Sequence, residues 1–144
     1  NGSIPPSLGA QDIQLSLNRR GHFSAYDSWV SLPAPFNLFV DTAPGLWGSD
    51  EIILEWDTLA RELTSIQIDG PCIQPYGFSM DPIGDTGIIV IGTDELLVSY
   101  DWTGYECPID ITVTRTRHGQ LDRHLEGGAI TASQVRSQRI YLYE

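Results

Sequence analysis

The sequence predicts an all-β protein, built as an antiparallel two-sheet β-sandwich. Three observations lead to this prediction. Alternation of apolar and polar side chains with a period of two recurs along the chain, no long segment shows the 3.6-residue apolar period of a helix, and glycine and proline separate the alternating segments. Short strands without long helices between them favour antiparallel sheets over a parallel sheet. A chain of 144 residues also suits one domain, so we expect a single sandwich over residues 1–144, with 1–18 as an N-terminal strand or arm.

Alternation is clearest in four segments, of which 51–57 is an example. There Ile52, Leu54 and Trp56 share one face, and the acidic residues between them share the other. Such a segment is a half-buried strand, because successive side chains of a strand point to opposite faces. The other clear segments are 10–18, 95–101 and 108–115; further candidates are 36–41, 63–69, 87–92 and 138–143, with weaker ones at 23–32 and 129–131.

Turn-forming residues fill the gaps between these segments. Glycine relaxes and proline restricts the backbone φ angle, so both stop strands. The only candidate for a helical turn is 57–62. The predicted turns are Pro33-Ala34-Pro35, Ala43-Pro44-Gly45, Asp69-Gly70-Pro71, 81–85 and Gly127-Gly128.

Three segments of the sequence resemble one another, and this internal similarity allows a second fold as an alternative. Residues 48–57 and 92–101 match in chemistry at almost every position, and 9–18 is a fainter copy. Each has a turn glycine, polar residues and then three apolar side chains at alternate positions. Three such units suit a β-trefoil, which is the alternative to the sandwich, although any turn followed by an amphipathic strand produces the same pattern.

The two cysteines, Cys72 and Cys107, predict a disulfide. They lie 35 residues apart, with no CxxC motif and no nearby set of metal ligands. A structural disulfide indicates an oxidising compartment, so we expect the protein to be extracellular or at the cell surface. Closing a loop of this length stabilises the fold by roughly 3–4 kcal/mol in the chain-entropy description. Free thiols are the alternative.

The charge distribution indicates which classes of partner the protein can bind. The net charge is −11, with no lysine, which disfavours nucleic acid and anionic membranes as partners. No apolar run approaches the roughly 20 residues of a membrane span, so membrane insertion is not expected. Residues 1–114 hold three arginines against sixteen acids, whereas 115–144 hold five arginines against three acids. This asymmetry favours association between oppositely charged surfaces.

A short run before the second cysteine resembles a known family. Asp101-Trp102-Thr103-Gly104-Tyr105-Glu106-Cys107 is similar to the tyrosine corner of immunoglobulin-like domains, in which a tyrosine stands two residues before a strand cysteine. The resemblance covers these residues alone. It implies a sandwich of the immunoglobulin-like type, beside the jelly-roll type that the strand pattern also allows, and it implies that Tyr105 anchors a corner.

No motif of catalysis is present, and we expect no enzyme. The sequence lacks GxSxG, HExxH, Walker and GxGxxG motifs, and the three histidines, His22, His118 and His124, lie beside glycine or arginine in turn-like contexts. No cofactor is predicted, with calcium as the one candidate. Asp81 and Asp85 lie in a loop-like segment that offers oxygen ligands, though without an EF-hand pattern.

Aromatic residues are the remaining candidates for ligand binding. Trp47, Trp29, Trp102 and Tyr76 lie in or beside turns, where exposed rings stack on sugars or anchor protein interfaces. The first hypothesis is a non-catalytic extracellular module that acts by association, as a surface or filament (pilus-like) subunit or an adhesive domain, with 9–18 available for strand addition to a second copy. The alternatives are a carbohydrate-binding module and an accessory or inhibitor domain of a secreted enzyme. The expected partners are therefore protein, including a second copy, or glycan.

Overall fold

The structure, a computed structural model, confirms an all-β protein. It describes residues 12–21, 23–41, 45–58, 62–73, 77–96, 102–125 and 127–144. Within these ranges lie nine strands and one 3-10 turn, and no described helix is long and apolar enough to cross a membrane. The strands are β1 Asp12–Leu17, β2 Ala25–Ser31, β3 Leu38–Asp41, β4 Glu51–Trp56, β5 Leu63–Asp69, β6 Phe78–Gly84, β7 Ile88–Gly92, β8 Glu106–His118 and β9 Thr131–Tyr143; the 3-10 turn is Thr93–Glu95.

The chain divides into two compact units. The hairpin unit comprises Asn1–Pro35 and Arg115–Gln134, and the sandwich unit comprises Phe36–Thr114 and Val135–Glu144. The long strands β8 and β9 contribute residues to both units.

Two sheets form the sandwich unit. One has the strand order β3-β4-β7 with antiparallel pairing, and the other has the order β6-β5-β8-β9. The alternating apolar side chains of both sheets meet in one core, as the period-two pattern predicts. Its buried members are Phe36, Ile52, Leu54, Trp56, Ile66, Ile68, Cys72, Ile73, Ile91, Leu96, Cys107, Ile109, Ile111, Val113, Ile140 and Leu142. The described strands form open sheets, so the fold is a sandwich and not a closed trefoil barrel.

The predicted disulfide is confirmed within this core. Cys72 and Cys107 are bonded, with their Cα atoms 6.1 Å apart and both side chains buried. Gly70 makes the approach possible, because a Cβ atom there would lie 2.7 Å from the side chain of Ile109 and 2.8 Å from the carbonyl oxygen of Pro108. The turn that leaves β5 therefore passes close against β8 and delivers Cys72 to its partner.

The hairpin unit contains a two-stranded antiparallel sheet of β1 and β2. Trp29 on β2 makes a bridge with Gln120, through backbone hydrogen bonds of 2.9 and 2.8 Å. Gly119 permits this approach because a Cβ atom there would clash with Trp29, Val30 and Ile130. Ala25, Ser28 and Val30 of β2 are buried, whereas almost all of β1 stays exposed.

Two predictions of local structure were wrong. Residues 81–85 were expected to form a turn, but 81–84 belong to β6, an edge strand. An edge strand tolerates Pro82, because its missing N–H has no ladder partner to lose. Residues 93–95 form a 3-10 turn instead of beginning a strand at 95, while 97–101 lie outside the described residues, as do 59–61 of the predicted helical turn.

Within the internal similarity, the 3-10 turn at 93–95 corresponds to residues 49–51, where the turn before β4 ends and β4 begins. Residues 97–101, which correspond to 53–57 of the first copy, lie outside the described residues. Strand β9 is longer than the predicted segment 138–143, because its first half carries polar residues that give no apolar alternation to read.

Candidate functional site

An open cleft lies at one end of the sandwich unit, with a volume of about 230 Å³. We call it the aromatic cleft. Trp47 and Trp102 belong to its lining, so the structure brings together two of the four aromatic residues that the sequence suggested for ligand binding. Among the described residues, its lining is Trp47, Trp102, Gly104, Tyr105, Cys107, Leu142, Tyr143 and Glu144.

Backbone hydrogen bonds hold Trp47 in place. Its N–H donates to the carbonyl of Tyr143 at 2.8 Å, and the N–H of Tyr143 donates to the carbonyl of Gly45 at 2.8 Å, which forms a parallel bridge to the end of β9. The carboxylate of Asp50 closes the same turn by accepting from the N–H of Leu46 at 2.7 Å. Trp47 thus lies on a fixed turn, and its ring packs partly against the core.

Trp102 and Tyr105 come from the segment that leads into β8. Gly104 lies between them, and a Cβ atom there would be only 2.5 to 3.1 Å from three carbons of the Trp102 indole. The glycine therefore allows the indole to lie flat against the backbone. Tyr105 is 70% exposed, and its carbonyl accepts from the N–H of Glu144 at 3.1 Å.

The floor and the remaining wall of the aromatic cleft come from β8 and β9. Cys107 and Leu142 are buried beneath the aromatic rings. The rings of Tyr105 and Tyr143 lie 6.1 Å apart at an angle of 54°, a tilted contact. Burial raises the pKa of the Tyr143 phenol, and the nearby Glu106 carboxylate, to which it is hydrogen-bonded, raises it further. This phenol stays protonated at neutral pH and is a hydrogen-bond donor.

Of the two remaining aromatic candidates, Trp29 does not line the cleft. Trp29 belongs to the hairpin unit, and Tyr76 lies outside the described residues. Tyr105, for which the sequence suggested a corner anchor, has an exposed side chain in the cleft wall. Tyr143 and Glu144 were not among the candidates, since the alternation of β9 marked them as part of an ordinary strand.

A second polar cluster lies in the hairpin unit around Asp122. One of its carboxylate oxygens accepts from the backbone N–H groups of Tyr26 and Asp27 at 2.7 and 2.8 Å. The other oxygen lies 2.8 Å from both the backbone nitrogen and Nδ1 of His124. These bonds, led by the backbone bond from His124, hold the pKa of Asp122 far below its usual range.

This cluster organises a turn. The ring of Phe23 stacks on His124, with centroids 5.5 Å apart, and the carboxylate ties the loop 122–124 to β2. No pattern in the sequence indicates that Asp122 binds the amides of Tyr26 and Asp27, because these two partners lie almost a hundred residues away. Of the other histidines, His118 is exposed at the end of β8, and His22 lies outside the described residues.

The two calcium candidates, Asp81 and Asp85, have different surroundings in the structure. Asp85 accepts a hydrogen bond from the indole N–H of Trp56 at 2.7 Å, and Asp81 is exposed on β6. Within the described ranges no three His, Cys, Asp or Glu side chains come together as a metal site requires. Calcium binding stays a prediction.

Comparison with protein-family models, curated proteins and solved structures found no match to this chain. The chemistry of the aromatic cleft itself indicates what it can bind. Its main elements are four aromatic rings around one open cleft, a protonated phenol and the carboxylate of Glu144.

Proposed function

We propose that this protein is a non-catalytic, extracellular binding module that recognises a carbohydrate at the aromatic cleft and so acts as an adhesive domain. The observation that carries the proposal is the convergence of Trp47, Trp102, Tyr105 and Tyr143 around one open cleft. Exposed aromatic rings that are held by the backbone offer contact area at little conformational cost.

The cleft chemistry fits a sugar ring. A pyranose presents an apolar face of C–H groups, which packs on aromatic rings, and hydroxyl groups at its edge. The Glu144 carboxylate supplies an acceptor for such hydroxyls, and the phenol oxygen of Tyr143, whose hydrogen is donated to Glu106, supplies a second acceptor. The volume of about 230 Å³ lies below the roughly 300–1,000 Å³ of deep ligand pockets, which suits one ring-sized group better than a large cofactor.

Charge favours a glycan over a nucleic acid. The sandwich unit holds three arginines against fifteen acids, a formal charge of −12, so a phosphate backbone would be repelled. Glu144 supplies the only side-chain carboxylate among the described residues that line the cleft.

The proposal also includes an extracellular location and an immunoglobulin-like origin. The buried disulfide is compatible with an oxidising, extracellular location. The sandwich and the run from Asp101 to Cys107 support an immunoglobulin-like origin, which stays a proposal.

The test is glycan-array binding followed by titration of the best glycan. Tyr105→Ala is the informative variant, because this side chain is exposed and its loss leaves the core intact. A stacking ring contributes roughly 0.5–1.5 kcal/mol, so we expect affinity to fall by about three- to tenfold. Tyr141→Ala is the matched control, since Tyr141 is exposed on β9 but does not line the cleft, and its affinity should equal that of the wild type.

Tryptophan fluorescence provides an independent readout. A glycan in the cleft should change the emission of the wild type and of a Trp29→Phe variant alike, because Trp29 does not line the cleft. Absence of any glycan-dependent signal, or an equal loss of affinity in Tyr105→Ala and Tyr141→Ala, would overturn the proposal.

A further inference from the structure

The outer face of the sheet β3-β4-β7 carries an apolar patch. Phe39, Ile88 and Val90 are 47% to 63% exposed, and Ile53 lies half-buried among them. The register places Ile53 opposite Val90, and it places Phe39 and Ile88 on either side of Glu55. Neighbouring strands lie about 4.8 Å apart, so Ile53 and Val90 are direct cross-strand neighbours, while Phe39 and Ile88 lie on the two outer strands with Glu55 between them. Contiguous exposed apolar side chains mark interaction surfaces.

Acidic residues adjoin this patch, and one of them, Glu55, lies between Phe39 and Ile88. Asp41 is opposite Ile53, and Glu51 and Glu55 are the next residues on the same face of β4. All three side chains are exposed. We call the patch and its three carboxylates the acid-rimmed face. Its charge selects an occupant that carries apolar side chains next to cations.

The chain itself contains a segment of this description. Leu15 and Leu17 of β1 point to one face of the strand and are 55% and 43% exposed. Arg19 and Arg20 follow after Asn18, and Arg20 is exposed. The hairpin unit that contains them holds five arginines against four acids, a formal charge of +1 against −12 for the sandwich unit.

We propose that copies of this chain associate head to tail, with Leu15, Leu17, Arg19 and Arg20 of one copy on the acid-rimmed face of the next. The alternative pairing of two acid-rimmed faces is disfavoured, because it would place like charges against each other. The two surfaces are different, so each copy keeps one free surface of each kind, and the assembly grows with concentration unless it closes into a ring. The aromatic cleft takes no part in this contact, so the inference does not depend on glycan binding.

Sedimentation velocity over a range of protein concentrations tests the association. We expect the weight-average sedimentation coefficient of the wild type to rise with concentration. The rise should be weaker at high salt, because the screening length falls from about 30 Å at about 0.01 M to about 3 Å at about 1 M. Leu15→Ser with Leu17→Ser should weaken association at both salt concentrations. A wild type that stays monomeric throughout would overturn the proposal.

Charge reversal tests the two surfaces separately. Arg19→Glu with Arg20→Glu spoils the first surface, and Glu51→Arg with Glu55→Arg spoils the second, so each double variant alone should associate at least about tenfold more weakly. An equimolar mixture should regain association, because each chain then meets a partner of opposite charge at both contacts. All changed side chains are outside the core, and circular dichroism confirms that each variant is folded.

The control variant separates surface complementarity from net charge. Asp69→Arg with Asp81→Arg changes the total charge equally, but these exposed residues lie on β5 and β6, in the other sheet. Because both proposed surfaces are intact in this variant, it should associate on its own as the wild type does, whereas the Glu51→Arg, Glu55→Arg chain should not. If the two variants associate equally weakly, net charge alone drives assembly and the proposed contact is wrong.

Discussion

Removal of the disulfide between Cys72 and Cys107 should destabilise the protein strongly. The bond closes a loop of 35 residues, and the chain-entropy relation then gives about 13 cal/mol/K, or about 4 kcal/mol at 25 °C. Both sulfur atoms are buried in the sandwich core, so Cys72→Ala with Cys107→Ala also removes packing contacts. With a urea dependence of about 2 kcal/mol per molar, the midpoint should fall by roughly 2 M.

The assay is equilibrium unfolding in urea, followed by circular dichroism and tryptophan fluorescence. The wild type measured in reductant separates the loss of the bond from the loss of the sulfur atoms, because the thiols remain in the core. We expect reduced wild type to lose most of the stability that the double alanine variant loses. A midpoint shift below about 0.5 M in both samples would refute the loop-closure reasoning.

Three further predictions concern packing and pH. Leu54→Ala, at a fully buried position, should cost about 3–5 kcal/mol in the same urea assay, and a cost below about 1 kcal/mol would show that the core is loosely packed. Gly119→Ala should cost roughly 1–3 kcal/mol because its methyl group meets the Trp29 backbone, whereas Gly84→Ala, with open space around it, should be nearly neutral; thermal melts of both variants compare them. Asp122→Asn should destabilise the protein at pH 7, and the difference from wild type should shrink as the pH falls below about 4. The lowered pKa of Asp122 means that its stabilisation is present above the ordinary carboxyl pKa and is lost towards the folded-state value. A difference that stays constant from pH 7 to pH 2 would contradict this cause.

The strands could be predicted wherever one face of the strand is exposed to solvent and the other face is buried. Segments 51–57 and 63–69 agree with β4 and β5 almost residue for residue, because their alternating apolar side chains all enter the core. The pattern failed for β6 and for the first half of β9. β6 contains Pro82, which suits only its edge position, and the first half of β9 is polar and depends on β8 for hydrogen bonds.

The aromatic cleft could be predicted only in part. Trp47 and Trp102 were suggested by their turn-like neighbours, a local property that a sequence displays. Tyr143 joins them because the end of β9 forms a parallel bridge with Leu46, a pairing between residues almost a hundred positions apart. No periodicity carries that information.

The sequence by itself determined the class of the fold, the strands that line its core and the cysteine pair, since alternation is local and two cysteines allow a single pairing. The tertiary structure decided which rings share the aromatic cleft, which amides Asp122 ties together, and that three acidic residues lie next to apolar side chains on one sheet face. Each of these depends on strand order and register, which are fixed by contacts between segments far apart in the chain.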